Sequence, residues 1–489
     1  MESSRYGMNI SNKKKETSKK KRIVKNILLI LLMLIIVCGF WGVYKPMPEG
    51  LNSRSPEYKT NNVDFIYDLT YEADRVRFNE QNIFQNIYEI IDNAEEYIIC
   101  DMFLFNDLYN KDSNVNYIPL SSNLTTKLIE KKKSNPNIEI IFITDPINVF
   151  YGAYKTDNIK MLEENDITVV VTNVRKLKDS NPVYSSVEKV IFRFIKSGIF
   201  PAYIPNAFSN EGPKVRLENY VALLNFKANH RKTISSEKET LITSANPHDA
   251  SSLHSNIAFR ISSSFANEVT KTELSVVAMS GSKTNITTKE NISEDGKYSV
   301  VLVTEKKIKE VVIENINNLE QDDKLDLLMF YLSDRGVVKA VKKAVKRGVD
   351  VNLVLDANKD AFGLEKNGIP NRQVAYELIK AGANIRWYKT KGEQFHSKMI
   401  VFQKGSEMSI IGGSANFTRR NLNNLNLETN VLIKANTNSD LATNINQYIN
   451  RINNNIDGIY TVDFKEYEEK GPVKRVVYWI QEVFGLSTF

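Results

Sequence analysis

The sequence predicts an α/β protein in which two similar halves follow one membrane-spanning helix. Three observations support this prediction. A basic tail runs into a long apolar stretch, short apolar runs alternate with amphipathic helical segments, and this alternation occurs twice along the 489 residues. With 42% hydrophobic and 25% charged residues, the chain is globular in composition and long enough for two or three domain-sized cores.

A basic tail (1–22) precedes the predicted membrane-spanning helix (23–44). The uncharged run Ile27–Tyr44 has 18 residues, which as a helix is about 27 Å long and close to the thickness of a bilayer core. The positive-inside rule places the tail in the cytoplasm and residues 45–489 outside it, as in a single-pass protein of the cell membrane. A cleaved signal peptide is the competing interpretation, but the run ends without a small-x-small cleavage pattern.

The net charge of +7 comes from the tail alone. Residues 1–25 contain nine Lys/Arg and two acids, so the remaining 56 basic and 56 acidic residues cancel. The general electrostatic pattern of a nucleic-acid-binding protein is therefore missing, although the net charge does not exclude a local basic groove. Cysteine is scarce, and Cys38 and Cys100 cannot build a disulfide framework or a cysteine metal site.

The same order of predicted elements occurs in both halves. Helix Ile83–Asn93 and strand 97–107 correspond to helix Ile308–Leu319 and strand 324–334. Two further pairs follow: 137–148 with 348–359, and 160–171 with 376–388. Strands that alternate with helices and form short continuous apolar runs favour mostly parallel sheets flanked by helices. A repeated set indicates duplication.

The predicted domain boundaries follow from this repeat. They are a linker 45–63, a first half 64–285 with an inserted segment 174–221, a second linker 286–298, a second half 299–465 and a C-terminal amphipathic helix 466–489.

Each half carries one His-x-Lys motif followed by Ser-x-Asn. The two sets are His230, Lys232, Ser244 and Asn246 in the first half, and His396, Lys398, Ser414 and Asn416 in the second. Residues i and i+2 of a strand face the same side, so each motif directs an imidazole and an ammonium to one face. A lone histidine on a strand is more often structural, but the second motif at the matching position favours a functional pair.

These groups suit an anionic phosphodiester better than a metal ion, because ammonium groups repel cations. One neutral histidine attacks phosphorus and forms a phosphohistidine, while the other protonates the departing alcohol. Lysine, serine and asparagine donors hold the non-bridging oxygens. Water or a second alcohol then attacks the intermediate. The expected reaction needs neither a metal nor another cofactor.

The two motifs resemble the paired signature of the phospholipase D superfamily, which is His-x-Lys, four residues, Asp, and then Gly-Ser-x-Asn. The resemblance covers most of residues 64–465. It implies two phospholipase D-like α/β sandwich halves that share one central active site, with one histidine from each half. By family habit His230 is the nucleophile and His396 the acid, and the reverse assignment stays open.

The sequence departs from this signature at three positions. The family aspartate corresponds to Glu237 in the first motif and to Gln403 in the second, and the first glycine is replaced by Thr243. In the family this acid supports the site and is not one of the reacting pair, so the resemblance implies that Glu237 helps to orient the phosphate-binding groups.

A further carboxylate usually orients the imidazole through its other nitrogen. Glu428 is expected to do this for His396. Aligning Asn430 with Asn256 leaves the first half without an obvious carboxylate at the matching position, although Asp249 is near.

The membrane anchor and the neutral bulk charge favour a lipid substrate. The insert contains residues 187–205, whose mixture of aromatic, aliphatic and basic residues suits an interfacial helix, with an additional packed subdomain as the alternative. The C-terminal stretch 473–489 is either a docking helix on the same surface or a packed terminal helix.

The leading hypothesis is a membrane-anchored phosphatidyltransferase or phosphodiesterase of the cardiolipin synthase type. Its substrate would be phosphatidylglycerol or a related glycerophospholipid, its partners the phospholipid and the bilayer, and no nucleic acid is expected. Cardiolipin synthases commonly carry two N-terminal spans, whereas one is found here, so a hydrolytic phospholipase D is a rival. Two further hypotheses are an extracytoplasmic nuclease, with basic segments at 131–133 and 339–347, and a catalytically silent lipid-binding scaffold.

Overall fold

The computed structural model describes most of the chain. The described residues are 2–109, 115–192, 201–208, 212–289, 295–361, 364–365, 367–469 and 471–484.

The N-terminal helix is continuous through the basic tail and the apolar run. In the described part of the chain, one helix is long and apolar enough to cross a membrane. The part of this helix that could do so is Thr17–Tyr44. The helices, in chain order, are α1 Glu2–Tyr44, α2 Ile83–Asn93, α3 Leu120–Ser134, α4 Asp157–Glu164, α5 Pro182–Ile191, α6 Leu217–Leu223, α7 Ala266–Met279, α8 Lys306–Asn318, α9 Arg335–Lys346, α10 Asn371–Ile379, α11 Arg419–Leu422, α12 Asp440–Asn453 and α13 Pro472–Phe484.

Two mixed sheets and one small hairpin contain the strands. The strands are β1 Tyr58–Thr60, β2 Val63–Ala73, β3 Val76–Glu80, β4 Tyr97–Met102, β5 Glu139–Thr144, β6 Thr168–Val171, β7 Lys232–Ser236, β8 Thr240–Thr243, β9 Asn256–Ile261, β10 Tyr298–Thr304, β11 Lys324–Met329, β12 Asp350–Asp356, β13 Asp360–Ala361, β14 Leu364–Glu365, β15 Asn384–Tyr388, β16 Lys398–Lys404, β17 Glu407–Gly413, β18 Thr429–Asn436 and β19 Thr461–Asp463.

The strand orders confirm the predicted duplication. The first sheet has the order β3-β2-β9-β8-β7-β4-β5-β6, and the second has the order β1-β10-β18-β17-β16-β11-β12-β15-β19. The run β9-β8-β7-β4-β5-β6 therefore corresponds, strand by strand, to β18-β17-β16-β11-β12-β15. The α/β architecture of two similar halves is present as predicted.

The expectation of mostly parallel sheets was wrong. Only β4, β5 and β6 in one sheet, and β11, β12 and β15 in the other, pair in parallel within the described chain. The strands that carry the His-x-Lys motifs return through tight turns, β7 to β8 and β16 to β17, and a tight turn forces antiparallel pairing. Continuous apolar runs indicate burial on both faces, and they do not fix strand direction.

Each sheet is covered on both faces. Helices α2, α3 and α4 pack on the outer face of the first sheet, and α8, α9 and α10 on that of the second. The inner faces of both sheets contribute to one shared core, which includes Phe65, Phe259, Val300, Tyr388 and Met399. Each such side chain contributes roughly 1.5–3 kcal/mol by leaving water. The shared core therefore fixes the two halves against each other.

The segment predicted as a linker between the membrane helix and the first half adds an edge strand to the second sheet. In this segment β1 pairs antiparallel with β10, with Tyr58 opposite Val300. The N–H of Ser55 donates to the carbonyl of Leu302 at 2.9 Å. The chain that leaves the membrane-length helix thus contacts the second half before it forms the first.

The predicted C-terminal helix is present as α13. Its Tyr478 hydroxyl is buried and donates to the carbonyl of Ser333 at 3.2 Å, whereas the side chain of Trp479 is 60% exposed. Residues 485–489 of the predicted helix lie outside the described residues, as do 193–200 of the predicted interfacial segment.

Candidate active site

His230 lies two residues before the start of β7 and is held by the other half of the molecule. Its backbone N–H donates to the carbonyl of Leu427 at 2.9 Å, and its Nδ1 lies 2.9 Å from Oε1 of Glu428. The ring of Phe103, at the end of β4, packs against the imidazole with 4.6 Å between centroids. These contacts leave Nε2 as the nitrogen that can react.

His396 has the matching environment in the second half. Its backbone N–H donates to the carbonyl of Ser255 at 2.8 Å, and its Nδ1 lies 3.0 Å from Oδ1 of Asn256. Phe330 packs on the ring with 5.0 Å between centroids. The two sites therefore differ in one chemical respect, because a carboxylate faces His230 and a neutral amide faces His396.

The expected pairing of Glu428 with His396 was wrong. The serine hydroxyls show the true correspondence: Ser414 donates to Glu428, and Ser244 donates to Asn256 at 3.0 Å. Glu428 therefore corresponds to Asn256, and Asn430 does not. Each half contributes the orienting side chain for the histidine of the other half, because the segments before β9 and β18 cross to the neighbouring motif.

Two buried lysines accompany the histidines. Nζ of Lys232 donates to the carbonyl of His230 at 2.7 Å, and Nζ of Lys398 donates to the carbonyl of His396 at 2.9 Å. Both side chains are fully buried. Burial lowers the pKa of Lys232 to about 7 and holds the pKa of Lys398 well below its usual range. An anion between these ammonium groups would reverse both shifts.

Backbone pairing between the halves brings the two motifs together, because Asn229, next to His230, pairs with Leu427, and Phe395, next to His396, pairs with Ser255. Lys398 of the second half lowers the pKa of His230, and Lys232 of the first half lowers the pKa of His396. Burial is the largest cause at both histidines, and it lowers the pKa of His230 to about 4 although Glu428 acts in the opposite direction. Both imidazoles are therefore neutral at physiological pH before an anion binds.

The Ser-x-Asn residues have two different tasks. Besides donating to the orienting side chains, the Ser244 and Ser414 hydroxyls each accept a backbone N–H, from Ile257 and Thr429 respectively, both at 3.0 Å. The serines therefore position the orienting side chains and are not free to bind phosphate.

The two asparagines are not equivalent. Asn246 accepts the N–H of Leu104 at 3.3 Å, whereas the buried Oδ1 of Asn416 has no hydrogen-bond partner among the described residues. A buried polar atom without a partner is costly, so the side chain of Asn416 is available to a ligand.

Glu237 does not contribute to this site, contrary to the expectation. It lies in the turn after β7, at the far end of the strand from Lys232, and accepts the backbone N–H groups of Glu95, Glu96 and Tyr97. It fixes the start of β4. Asp249 is also committed elsewhere, because it accepts both the N–H and the hydroxyl of Ser121.

The other departures from the signature are absorbed locally. Gln403 donates to Asn446 at 2.9 Å at the far end of β16. Thr243 donates to the carbonyl of Ile257 at 2.8 Å. The corresponding Gly413 has φ +151°, and a Cβ there would overlap the carbonyl of Thr429. Glycine is therefore required only in the second motif.

The sequence interpretation missed an ion cluster beneath the first motif. Arg231, between His230 and Lys232, is completely buried against Glu305 at 2.7 Å and Glu273 at 3.3 Å. Glu305 also accepts the backbone N–H of Glu428 at 3.2 Å. No repeat points to this cluster, because Ser397 occupies the position of Arg231 in the second motif.

A repeated pair of aspartates was also missed. Asp145 follows β5 and accepts the N–H of Asn229 at 2.7 Å, and Asp356 ends β12 and accepts the N–H of Phe395 at 2.8 Å. Each fixes the backbone one residue before a histidine. Their matching positions in the repeated strand segments are the sequence signal that could have found them.

His254 is placed next to His396, with 5.8 Å between ring centroids. Its Nδ1 accepts the N–H of Gln394 at 3.3 Å, just as Asn426 accepts the N–H of Ala228 at 3.0 Å in the other motif. His254 therefore has the same structural task as an asparagine.

Comparisons with known proteins bear on the family and the fold. The sequence profile of the family described as "Cardiolipin synthase, PLD-like domain" matches residues 312–453. The fold is similar to that of phosphatidylserine synthase from Haemophilus influenzae Rd KW20, with TM-score 0.55 and 12% identity, over 89% of this chain and 96% of that one. A phospholipase D family member, Nuc from Salmonella typhimurium, matches with 20% identity and TM-score 0.26, over 33% of this chain and 97% of that one. No curated protein sequence matches the chain.

Proposed function

We propose that the chain is a phospholipase D superfamily member and a membrane-anchored phospholipid phosphodiesterase or phosphatidyltransferase of the cardiolipin synthase type, which the family-profile match over residues 312–453 and the similar fold of a phosphatidylserine synthase support. The proposal rests on one observation. Two His-Lys pairs, one from each half, lie at a buried site, and the imidazole of one pair contacts a carboxylate.

In the first step, Nε2 of neutral His230 attacks the phosphorus of a glycerophospholipid. The P–N bond forms as the P–O bond to the head-group alcohol breaks, and protonated His396 gives its proton to the leaving oxygen. Glu428 favours His230 as the nucleophile, because phosphorylation of Nε2 leaves positive charge on the ring and the carboxylate at Nδ1 stabilises it.

In the second step, neutral His396 accepts a proton from water or from an incoming alcohol as that oxygen attacks phosphorus. The P–N bond then breaks and His230 is restored. His396 must hold a proton in the first step, although burial holds its pKa well below its usual range before substrate binds. The bound phosphodiester supplies the negative charge that raises this pKa.

Lys232 and Lys398 are the groups proposed to hold the non-bridging oxygens, and Nδ2 of Asn416 can donate to one of them, whereas its unpartnered Oδ1 can only accept a proton donor of the ligand. Both ammonium groups are buried and lie close enough to the opposite histidine to lower its pKa. Burial removes water from the two ammonium groups. An anion that binds between them supplies the opposite charge and compensates for that loss.

A lipid is favoured over a nucleic acid by the membrane-length helix and by the neutral charge of the rest of the chain. The lysines of 339–347 lie on α9, whose valine face packs into the core of the second half, so they form the solvent face of an ordinary amphipathic helix. The description of the matching family profile points in the same direction.

The test uses the full-length protein in phosphatidylglycerol vesicles. A transferase yields cardiolipin and glycerol, and a hydrolase yields phosphatidic acid and glycerol. A denaturing quench at alkaline pH, in which the acid-labile P–N bond survives, should trap the phosphatidyl group on His230 in a single turnover, and His230→Asn and His396→Asn should each abolish turnover. His248→Asn is the control for the loss of a buried imidazole, because the His248 ring hydrogen-bonds to Ser251 and Leu108 and not to either motif histidine. Folded protein that forms neither product nor phosphohistidine would contradict the proposal.

A further inference from the structure

Helix α5, in the segment inserted into the first half, packs along the outer end of the membrane-length helix α1. The N–H of Asp179, just before α5, donates to the carbonyl of Gly42 at 2.9 Å. A Cβ at Gly42 would overlap the Asp179 carboxylate, and a Cβ at Gly39 would lie 3.0 Å from Oγ of Ser186. The contacts therefore move back along α1 as α5 proceeds, and the two helices are antiparallel.

This packing places α5 at the depth of the apolar run. Gly39 lies about 8 Å along the helix axis inside Tyr44, the outer end of that run. Helix α5 has 10 residues, so it is about 15 Å long, which is about the hydrocarbon thickness of one leaflet. Positions 31, 35, 38 and 39 of α1 are half-buried and Gly42 is buried, whereas the residues between them are exposed. One face of α1 is thus covered and the others are open.

The polarity of α5 is the reverse of that in a water-soluble helix. Its buried residues are Ser185 and Ser186, and Ser185 donates to Asn225 at 2.7 Å. Two of its apolar residues face outward, with Val183 75% exposed and Ile191 48% exposed, whereas Tyr184, Val187 and Val190 are half-buried. Small residues at the helix–helix contact and apolar residues on the outside are typical of helices packed within a bilayer.

The charged groups next to α5 gather at its outer end. Lys189 extends back along the helix to pair with Asp179, and Lys227 pairs with the same carboxylate at 2.6 Å. A lysine that directs its ammonium toward the interface keeps its charge out of the hydrocarbon while its stem lies along apolar surface. Asp179 therefore marks the level at which the polar part of the protein begins.

We propose that α5 is embedded beside α1 in the leaflet on the side of residues 45–489, with Val183 and Ile191 in contact with acyl chains. The occupant of this face is the bilayer, because the face adjoins the one helix of the described chain that can span a membrane. The inference concerns how the protein sits in the membrane, and it holds whether or not the proposed phosphodiester chemistry is correct.

The consequence for the site is positional. Lys227, which shares Asp179 with Lys189, lies three residues before His230 in the sequence. The start of the first His-x-Lys motif is therefore tied to the membrane surface through Asp179.

The test measures the depth of nitroxide labels on full-length protein in phosphatidylglycerol vesicles. Cys38 and Cys100 are replaced by alanine, and single cysteines are placed at Val183 and Ile191. Leu34, exposed on α1, is the lipid reference, and Ser406, in the turn between β16 and β17, is the aqueous reference. We expect labels at 183 and 191 to collide more with oxygen than with a water-soluble nickel chelate, as at 34.

Two outcomes would overturn the proposal. Preferential collision with the nickel chelate, as at Ser406, would show that α5 faces water. Low collision with both reagents would show that protein, such as a second copy of the chain, covers the face.

A second measurement uses the unaltered protein and so avoids any loss of folding in the cysteine variants. Carbene-generating acyl chains in the same vesicles should label the peptide that contains α5 together with α1, and should leave the peptide of α9 unlabelled. Labelling of α1 alone would contradict the proposal. The same result is expected for His230→Asn, which separates this inference from the proposed catalysis.

Discussion

Glu428 lies against His230 across the boundary between the two halves, with 2.9 Å between Oε1 and Nδ1. Its counterpart Asn256 lies 3.0 Å from Nδ1 of His396. The two imidazoles are thus equivalent in backbone position and different in electrostatic environment. This difference favours His230 for carrying the phosphoryl group and His396 for carrying the proton. Substitutions at Glu428 and at Asn256 each test it.

Replacing the carboxylate at His230 should slow the formation of the covalent intermediate. Glu428→Gln removes the charge that stabilises the phosphorylated ring, and its amide can present either an acceptor or a donor to Nδ1 and so no longer fixes the Nδ1–H tautomer, so kcat should fall by about 10³-fold. The measurement is vesicle turnover together with single-turnover trapping. Glu407→Gln, at an exposed surface pair with Lys434, is the matched control and should keep kcat. A decrease of less than about threefold would show that the carboxylate is not needed.

Introducing a carboxylate at the other histidine should change its titration. In Asn256→Asp, a negative charge next to Nδ1 favours the imidazolium, so the pKa of His396 should rise. With 4 histidines in the chain, NMR of histidine-labelled protein can follow each ring, and His396→Asn identifies the signal. Asn384→Asp, at the exposed start of β15, is the control. An unchanged or lower pKa of His396 would rule out this electrostatic account.

Anion binding should take up protons at slightly alkaline pH. Burial lowers the pKa of Lys232 to about 7 before an anion binds, so near pH 8 most of this amine is neutral, and it becomes charged when an anion binds beside it. Sulfate affinity should therefore fall as the pH rises from about 6 to 8. Titration calorimetry should give a more positive binding enthalpy in Tris than in a buffer with a small ionisation enthalpy.

The variant Lys232→Met tests the source of that proton. It should reduce both the uptake and the pH dependence while keeping the volume of the side chain. Identical enthalpies in the two buffers for the unaltered protein would contradict the predicted shift.

The ion cluster beneath the first motif should contribute far more to the free energy of unfolding than an exposed ion pair does. Glu305→Gln leaves the buried Arg231 with less compensation, so the free energy of unfolding should fall by about 3–5 kcal/mol. Glu314→Gln breaks the exposed pair with Arg54 at 3.0 Å and should change it by less than about 1 kcal/mol. Denaturant titration in detergent micelles compares the two, and equal effects would show that the cluster is not a structural anchor.

The two His-x-Lys motifs could be found in the sequence, because their signal is local and repeated. The motifs at His230 and His396 each occupy three residues, and the predicted helix Ile83–Asn93 matches the observed bounds. The orienting partners could not be predicted, because they come from the other half. Glu428 is 198 positions from His230, and Asn256 is 140 from His396.

The failed predictions have physical causes of the same kind. From each Ser-x-Asn serine to its orienting side chain, the separation is 14 residues at Ser414 and 12 at Ser244, so the two connections differ in length, and matching the asparagines by residue type placed Asn256 opposite Asn430 instead of Glu428. Glu237 was assigned to the site by motif spacing alone, but a strand carries it about 16 Å beyond Lys232. Which face of α5 is covered depends on its contact with α1 and not on its own composition.

The crossing of Glu428 and Asn256 between halves has a consequence for how such a centre can specialise. In an assembly of two identical polypeptides, any substitution at the crossing position alters both histidines together, since symmetry copies it. A continuous polypeptide with two unequal copies escapes this restriction. One half can carry a carboxylate and the other an amide at this position, so that only one histidine is affected. A single residue difference between the repeated halves can therefore give the two histidines different chemical roles.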